Sequence, residues 1–169
     1  MYSLVERLYS SAENDVIRPL IAAKGRRFNN PITRTSPRWQ RAYAVQLRRY
    51  LSLEMGSENG YGCIWDESPE GWEDTEFIPL LDSYWCPDRV ERQALIGGLS
   101  FKKDGDLGWV LEFAWLHPFH RHKGKLQALW GEAKARYGNS FEISPPVSNA
   151  MESFLNKVEH PCGELWPER

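Results

Sequence analysis

The sequence predicts a single α/β domain, more strictly α+β, in which helices flank a mixed β-sheet. Two apolar runs, residues 93–101 and 107–116, are joined by a short polar link, a pattern typical of an antiparallel hairpin. A helix-periodic segment at residues 124–137 separates the second run from a short apolar run at residues 141–143. A strand, a crossover helix and another strand predict a parallel pair. We therefore expect the sheet to begin antiparallel and to end parallel.

The first 55 residues are expected to form a basic, helical arm. Apolar side chains at positions 4, 5, 8 and 9 have helical spacing and predict a short first helix. Residues 25–37 carry turn-forming dipeptides and are predicted to be a loop. A helix from Trp39 to about Glu54 follows, because one helical face carries Trp39, Tyr43, Leu47, Tyr50 and Leu51. Four arginines are expected on the remainder of its surface: Arg38, Arg41, Arg48 and Arg49.

Residues 56–92 are predicted to be an acidic, loop-rich insert, since this stretch is also rich in glycine and proline. Short strands are expected at residues 61–65 and 75–81. Binding residues concentrate on loops, so the insert is the expected place of a substrate loop. The cofactor-binding core is expected at residues 93–158, in one domain with the arm and the insert.

The elements of this core end at recognisable signals. Pro118 ends the second strand of the hairpin, and Gly138 offers the positive φ that often closes a helix. Ser148 or Asn149 is expected to cap a last helix, which carries apolar side chains from Met151 to Val158.

The composition is that of an ordinary globular protein, with 41% hydrophobic and 26% charged residues. No apolar run approaches the ~20 residues of a membrane helix, and the first residues lack the apolar stretch of a signal peptide. The three cysteines, Cys63, Cys86 and Cys162, are too scattered for a disulfide framework. We expect a cytoplasmic, reduced protein that does not bind a membrane.

The small net charge of −2 hides two opposite blocks. Residues 1–50 carry a net charge of +7, and residues 51–92 carry −9. The first block favours phosphates and the second favours cationic amines. Alternatively, the blocks are two solvated faces that attract each other across the fold. The sequence leaves both interpretations open.

The junction between the second strand and the next helix, residues 116–126, is the segment that points to chemistry. A buried strand ends there, basic and imidazole side chains follow, and Gly124 precedes the helix. Amide groups at a helix start lack internal partners, and glycine allows a ligand to approach the backbone, so the junction suits a pyrophosphate. The motifs of the P-loop and of the dinucleotide-binding fold are both absent.

Residues from about 93 to 158 resemble the GNAT superfamily of N-acetyltransferases. The family's strand-to-helix motif, [RQ]-x-x-G-x-[GA], is matched by Arg121-His122-Lys123-Gly124-Lys125-Leu126, with Leu126 in place of the last small residue. A second family pattern, N-x-x-A-x-x-Y, is similar to the stretch from Ser148 to Phe154, where phenylalanine replaces tyrosine.

The resemblance implies that the protein binds acetyl-CoA or another acyl-CoA and transfers the acyl group to an amine. It also implies a bulge that splays the strand ending at Leu116 from the next parallel strand, so that this strand meets the pantetheine arm. The candidate cofactor-binding residues are Leu116, His117, Arg121, His122, Lys123, Gly124, Lys125, Leu126, Ser148 and Phe154.

Amine attack on a thioester calls for a general base, and Glu112 is the favoured candidate because it is an acid inside an apolar strand. Phe154 cannot protonate the leaving thiolate, so Tyr84, water, an unassisted departure or a loss of catalysis are the alternatives. The candidate substrate-binding residues are Asp74, Glu76 and Trp85.

Three functions follow as hypotheses. The first is N-acyltransfer to a small-molecule or protein amine. The second places the amine on a nucleic-acid base, as in phage-type DNA-modifying relatives, and uses the basic N-terminal region. The third is a non-catalytic module that binds CoA or a partner, motivated by Leu126 and Phe154.

His117, His120 and His122 lack the ligand pattern of a familiar metal site, so no metal is expected. The stretch after residue 157 is short for two closing strands, so the expectation is either that the sheet ends early or that a partner chain, as in a homodimer, completes it.

Overall fold

The computed structural model describes residues 17–55, 66–145 and 147–160. The elements in chain order are β1 (Leu20–Ile21), α1 (Arg38–Glu54), β2 (Thr75–Trp85), β3 (Glu91–Asp104), β4 (Gly108–Leu116), α2 (Lys125–Tyr137), β5 (Glu142–Ile143) and α3 (Asn149–Lys157). Single turns of 3₁₀ helix lie at Glu70–Trp72 and Pro118–His120. The helix expected at positions 4–9 and the strand expected at 61–65 lie outside the described residues. None of the described helices is long and apolar enough to cross a membrane.

The described elements confirm the predicted mixed sheet flanked by helices. β3 is central, and β2 pairs with it antiparallel along one edge. On the other edge of β3, β4 pairs antiparallel with residues 97–104, and β1 pairs with residues 94 and 95 further along. β5 pairs with β4 in the parallel direction, as the crossover through α2 predicts.

The strand β2 is longer than the predicted strand at residues 75–81, since it continues to Trp85 and pairs with β3 throughout. Pro79 lies inside it, and proline had favoured a loop. Among the described residues, β2 is an edge strand apart from one bridge between Ile32 and Phe77, and edge strands tolerate the missing N–H of proline. Residues 75–85 and 91–92 of the expected loop-rich insert are therefore sheet.

Helix α1 covers one face of the sheet, as its apolar periodicity predicts. Ala44 and Leu47 are fully buried, and they pack in one cluster with Phe113 and Trp115 of β4. The expectation that Arg41 lies on the exposed surface is wrong. Its guanidinium is buried and donates to the carbonyl oxygens of Ser36, Arg34 and Glu67, so its desolvation is offset by backbone acceptors. The remaining three arginines are partly or fully exposed.

Helices α2 and α3 cover the other face. Leu129, Trp130 and Leu155 pack there against apolar side chains of β3 and β4. Ser148 caps α3 by accepting a hydrogen bond from the Met151 amide at 3.2 Å, which confirms the predicted start of this helix. In the middle of the sheet, a Cβ at Gly98 would overlap the ring of Phe77, so glycine allows that ring to lie across β3.

Candidate functional site

The junction between β4 and α2 forms a tight turn with an uncapped helix start. His122 and Gly124 both have positive φ, at 60° and 72°. Gly124 is the N-cap residue, no side chain caps the helix, and no acid lies in its first turn. A Cβ at Gly124 would meet nothing within 4 Å, so the space above this residue is open. The first amides of α2 and the positive end of the helix dipole therefore face an accessible region, as an anion site requires.

This turn lies at the edge of a cleft of about 960 Å³. The cleft opens because β5 pairs only with Val110 and Leu111, while β4 continues to Leu116. Just after β5, the Ser144 amide donates a hydrogen bond to the Leu111 carbonyl oxygen at 2.9 Å. Beyond it, the C-terminal end of α1, the 121–127 segment and helix α3 complete the walls. The splayed strands that the resemblance implies are present.

A β-bulge at Glu112 sets the direction of the backbone along the cleft. Ser100 is opposite Phe113 and Phe101 is opposite Leu111, so Glu112 is the extra residue of β4. The His117 amide donates to the Ile96 carbonyl oxygen of β3 at 2.7 Å. Because the direction of the backbone N–H and C=O groups alternates along a strand, the backbone groups of Phe113 and Trp115 also face β3. Ala114 accordingly presents its N–H and carbonyl to the cleft.

The carboxylate of Glu112 lies on the α1 face of the sheet. Its Oε2 accepts a hydrogen bond from the Ser100 hydroxyl at 3.2 Å, and Ser100 is paired with Phe113 and with Phe77. Both phenylalanines belong to the core cluster under α1. Glu112 is half-buried and lines the cleft, so the structure brings the predicted general base to the predicted cofactor site.

Glu54 joins three walls of the cleft and was missed by the sequence reasoning. It accepts two hydrogen bonds from the Arg121 guanidinium, at 2.6 and 2.7 Å, and one from the Trp115 indole at 2.7 Å. Arg121 also donates from Nε to the Leu116 carbonyl oxygen at 2.7 Å. Arg121 therefore fixes the turn between β4 and α2 to the end of α1 and to β4.

A signal for Glu54 existed in the sequence. It is an acid in the last turn of a helix that is otherwise rich in arginine, where the helix dipole disfavours a negative charge. Arg48, a second cleft residue from α1, gave no such signal beyond its basic character. Its guanidinium carbon lies 5.7 Å from the centre of the Phe113 ring.

A polar cluster borders the start of α2 on the side of β2. Lys125 donates to Asp82 Oδ2 at 2.6 Å, His120 Nδ1 is 3.4 Å from the same oxygen, and the Tyr84 hydroxyl is 2.8 Å from His120 Nε2. The hydrogen bond from Lys125 lowers the pKa of Asp82. Burial lowers the pKa of His120, and burial together with the charge of Asp82 raises the pKa of Tyr84.

Several candidate cofactor residues line the cleft and others do not. The lining includes Leu116, Arg121, His122, Gly124, Lys125, Leu126, Ser148 and Phe154. Lys123 is exposed outside this lining. His117 is buried beneath the turn, and its Nδ1 accepts from the Phe119 amide at 3.3 Å. Burial, followed by the nearby charge of His120, lowers the pKa of His117 to about 4.

The structure does not bring the candidate substrate residues to the cleft. Glu76 accepts a hydrogen bond from the Tyr137 hydroxyl at 2.8 Å, at the C-terminal end of α2. Asp74 precedes β2 and is exposed, and Trp85 is 74% exposed at the other end of that strand. Tyr84 is also outside the lining, because its hydroxyl belongs to the His120 cluster. These side chains lie away from the cleft because β2 pairs with β3. Strand β3 therefore separates β2 from β4, whose far edge lines the cleft.

In the part of the chain that the structure describes, no three His, Cys, Asp or Glu side chains are grouped so as to hold a metal ion. Cys86 is a free, half-buried thiol. The two charge blocks meet at the start of α1, where Arg38 pairs with Glu67 at 2.8 Å and Arg34 lies 3.9 Å from Glu73. These contacts agree with the interpretation that the blocks attract each other.

The chain shows limited similarity to known proteins. No family model and no curated protein matches the sequence. Among solved structures, the chain is similar to a ribosomal-protein-alanine N-acetyltransferase from Brucella melitensis biovar Abortus 2308, with 15% sequence identity and a TM-score of 0.46. The match covers 82% of this chain and 93% of that protein.

Proposed function

We propose that this protein is an acyl-CoA-dependent N-acyltransferase, which transfers an acetyl group from acetyl-CoA to an amine by direct attack. The observation that carries the proposal is the open edge of β4 beside the uncapped start of α2, within one cleft. That combination suits a long ligand with a pyrophosphate at one end. The cleft volume of about 960 Å³ is within the range of small-molecule sites, about 300–1,000 Å³.

On the cofactor side, the amides of Lys125, Leu126 and Gln127 would hold the pyrophosphate, because the first amides of a helix have no intrahelical acceptor. Gly124 leaves the approach open, and His122 lines the same end of the cleft. The pantetheine arm would lie along β4, where Ala114 presents backbone groups. Leu126 occupies the place of a small residue, yet it packs against the α2–α3 core cluster.

On the reaction side, the amine nitrogen forms a bond to the thioester carbonyl carbon, and the carbon–sulfur bond breaks. Glu112 would take the proton that the amine loses, either directly or through water. The Ala114 N–H would stabilise the oxyanion that develops on the carbonyl oxygen. Phe154 has no hydroxyl, and Tyr84 lies outside the cleft, so water would supply the proton to the leaving thiolate.

Two other outcomes are distinguishable from this one. A non-catalytic CoA-binding module is favoured by Phe154, which offers no proton, and it would bind acetyl-CoA without releasing CoA in the presence of any amine. An acyltransferase that acts on a nucleic-acid base would bind DNA with a steep dependence on salt and acylate it.

The test is acetyl-CoA binding by isothermal titration calorimetry to the wild type, Gly124→Asp and Gly124→Asn. Aspartate and asparagine have the same shape, and asparagine tolerates positive φ, so the pair isolates the charge. A carboxylate about 4 Å from a phosphate charge costs about 4 kcal/mol at an effective dielectric of about 20, so we expect Gly124→Asp to bind about a thousandfold more weakly. Gly124→Asn should bind within a few-fold of the wild type.

Circular dichroism of both variants controls for folding. Equal binding by Gly124→Asp and Gly124→Asn would refute the pyrophosphate site. Detection of free CoA with a thiol reagent, during incubation with acetyl-CoA and a panel of amines, separates an enzyme from a binding module.

A further inference from the structure

The segment before α1 carries positive charges that the acidic block does not neutralise. Residues 17–55 contain nine lysines and arginines but a single acid, Glu54, which is bonded to Arg121. The ion pairs between the two charge blocks involve Arg34 and Arg38. Among the described residues, no carboxylate pairs with two further arginines whose side chains are exposed, Arg26 and Arg27.

A tight turn presents Arg26 to solvent. The Arg26 amide donates to the Ala23 carbonyl oxygen at 3.0 Å, and Gly25 has the positive φ of 75° that such a turn requires. The Arg26 guanidinium carbon lies 5.5 Å from the centre of the Trp39 ring, so the aromatic ring orients the guanidinium. No described residue accepts a hydrogen bond from it. A guanidinium held in this way has its N–H fork available for a phosphate.

Two glutamine side chains hold the backbone that follows the turn. Gln40 is 1% exposed, donates to the Arg27 carbonyl oxygen at 3.0 Å and accepts from the Asn29 amide at 2.9 Å. Gln93 of β3 accepts from the Phe28 amide at 3.0 Å. Because α1 and β3 both bind this backbone, the turn presents its cations at fixed positions on the body of the fold.

An exposed indole lies on the same face of the sheet as this turn. Trp85 is 74% exposed, and it is opposite Glu91 in the β2–β3 pair. Opposite residues share a face and side chains alternate along a strand, so Trp85 and Gln93 project from one face. They are diagonal neighbours, about 7–8 Å apart. Gln93 holds the Phe28 amide, so the Trp85 ring is close to the basic turn.

The hairpin between β2 and β3 adds no net charge to this surface. Its two acids, Asp88 and Glu91, are balanced by Arg89 and Arg92. Asp88 is bonded to Arg92, and the exposed Lys24 lies within electrostatic range of the same carboxylate. The positive charge of the turn is therefore retained beside the exposed indole.

We propose that this surface, defined by Lys24, Arg26, Arg27 and Trp85, binds single-stranded nucleic acid. Phosphates bind the three cations, and an unpaired base stacks on the Trp85 ring. A duplex offers phosphates but keeps its bases stacked, and an acidic polypeptide offers carboxylates without a base. The combination of fixed cations with an exposed indole therefore favours the single strand.

This surface lies apart from the cleft. Trp39, near the start of α1, packs on Phe28 with ring centres 4.9 Å apart, whereas Glu54 lines the cleft at the end of the same helix. The rise of an α-helix places these two ends about 22 Å apart. The nucleic acid is therefore proposed as a partner and not as the acyl acceptor, and changes at this surface should leave acetyl-CoA binding unchanged.

Fluorescence anisotropy of the full chain with fluorescein-labelled oligothymidylate and oligouridylate, each of about 12 nucleotides, tests the proposal. Three phosphate contacts predict a slope of about −2 for the logarithm of the association constant against the logarithm of salt concentration. The double variant Arg26→Gln/Arg27→Gln should make that slope shallower by about 1.4. Trp85→Ala should weaken binding about 5- to 100-fold at every salt concentration, with an unchanged slope.

Two double variants are matched controls. Arg26→Lys/Arg27→Lys keeps both charges and should keep the slope. Lys102→Gln/Lys103→Gln removes two exposed cations at the opposite end of β3 and should bind as the wild type does. Circular dichroism controls for folding, and calorimetry with acetyl-CoA should give the wild-type affinity for every variant.

Binding of either oligonucleotide with the predicted charge and stacking effects supports the proposal, and the tighter of the two distinguishes DNA from RNA. Four results would overturn it: no anisotropy change at about 50 mM salt, wild-type binding by Trp85→Ala, an equal loss in Lys102→Gln/Lys103→Gln, or equally tight binding of labelled polyglutamate. None of these results bears on the acyltransferase proposal, which acetyl-CoA calorimetry tests separately.

Discussion

Replacement of Glu54 by glutamine should destabilise the fold, although the helix dipole alone would favour the neutral residue. Glu54 accepts hydrogen bonds from Arg121 and Trp115 at 2.6–2.7 Å, and these bonds join α1 to residues more than 60 positions further along the chain. The dipole penalty on an acid in the last turn of a helix is about 0.3–1 kcal/mol, which the substitution relieves. The loss of the ion pair must exceed this gain for the fold to be weakened.

The burial of the pair sets the magnitude of that loss. Breaking a buried ion pair costs about 3–5 kcal/mol, because one charge remains desolvated and unpaired. The Glu54 side chain is 15% exposed, but the Arg121 side chain is 32% exposed and can regain water. We therefore expect a net loss of about 2 kcal/mol after the dipole gain is included. For a chain of this size, that corresponds to a decrease in Tm of about 4–8 °C.

Differential scanning calorimetry of Glu54→Gln, Arg121→Gln and the double variant measures this effect. The two positions are in direct contact, so we expect a coupling energy of about 1 kcal/mol or more from the cycle. Glu67→Gln is the matched control, since the exposed pair of Glu67 with Arg38 should change Tm little. A Tm for Glu54→Gln within about 1 °C of the wild type would refute the structural role of this ion pair.

Two further predictions concern the fold. Gly98→Ala should lower the free energy of unfolding by about 1–3 kcal/mol, because the added Cβ overlaps the Phe77 ring. Urea denaturation measures this loss, and Gly131→Ala is the control because a Cβ there meets nothing within 4 Å. The wild type should lose stability as pH falls from about 6.5 to about 4, because burial lowers the pKa of His117 to about 4 and the unfolded chain takes up the proton first. That loss should level off below pH 4, and His117→Gln should have a shallower slope across the same range; an unchanged slope would contradict the assignment to His117.

The sheet was predictable because its signals are local. The hairpin of β3 and β4, the helix after Gly124 and the cap at Ser148 each follow from residues close in sequence. Strand β2 was predicted at residues 75–81, a range that includes Pro79, and its continuation to Trp85 was not predicted because the segment is rich in glycine and proline. Only the position of β2 at an edge, with a bridge from Ile32, makes that proline acceptable.

The two sides of the candidate site differ in the same way. The uncapped turn at Gly124 and the acid at position 112 were identified from the sequence, since each depends on the chain immediately around it. The acidic side chains Asp74 and Glu76 were expected to bind substrate on charge alone. Charge does not specify distance, and the pairing of β2 with β3 carried both residues away from the cleft.

The sequence by itself determined the order of strands and helices and the place where a helix begins without a cap, because periodicity, glycine and proline act over a few residues. Only the tertiary structure decided that β4 and β5 part after Leu111, that the bulge turns Glu112 toward α1, and that Glu54 and Arg48 reach the same cleft. These features depend on contacts between segments far apart in the chain. Such contacts form when the sheet and the helices pack together, and no local pattern encodes them.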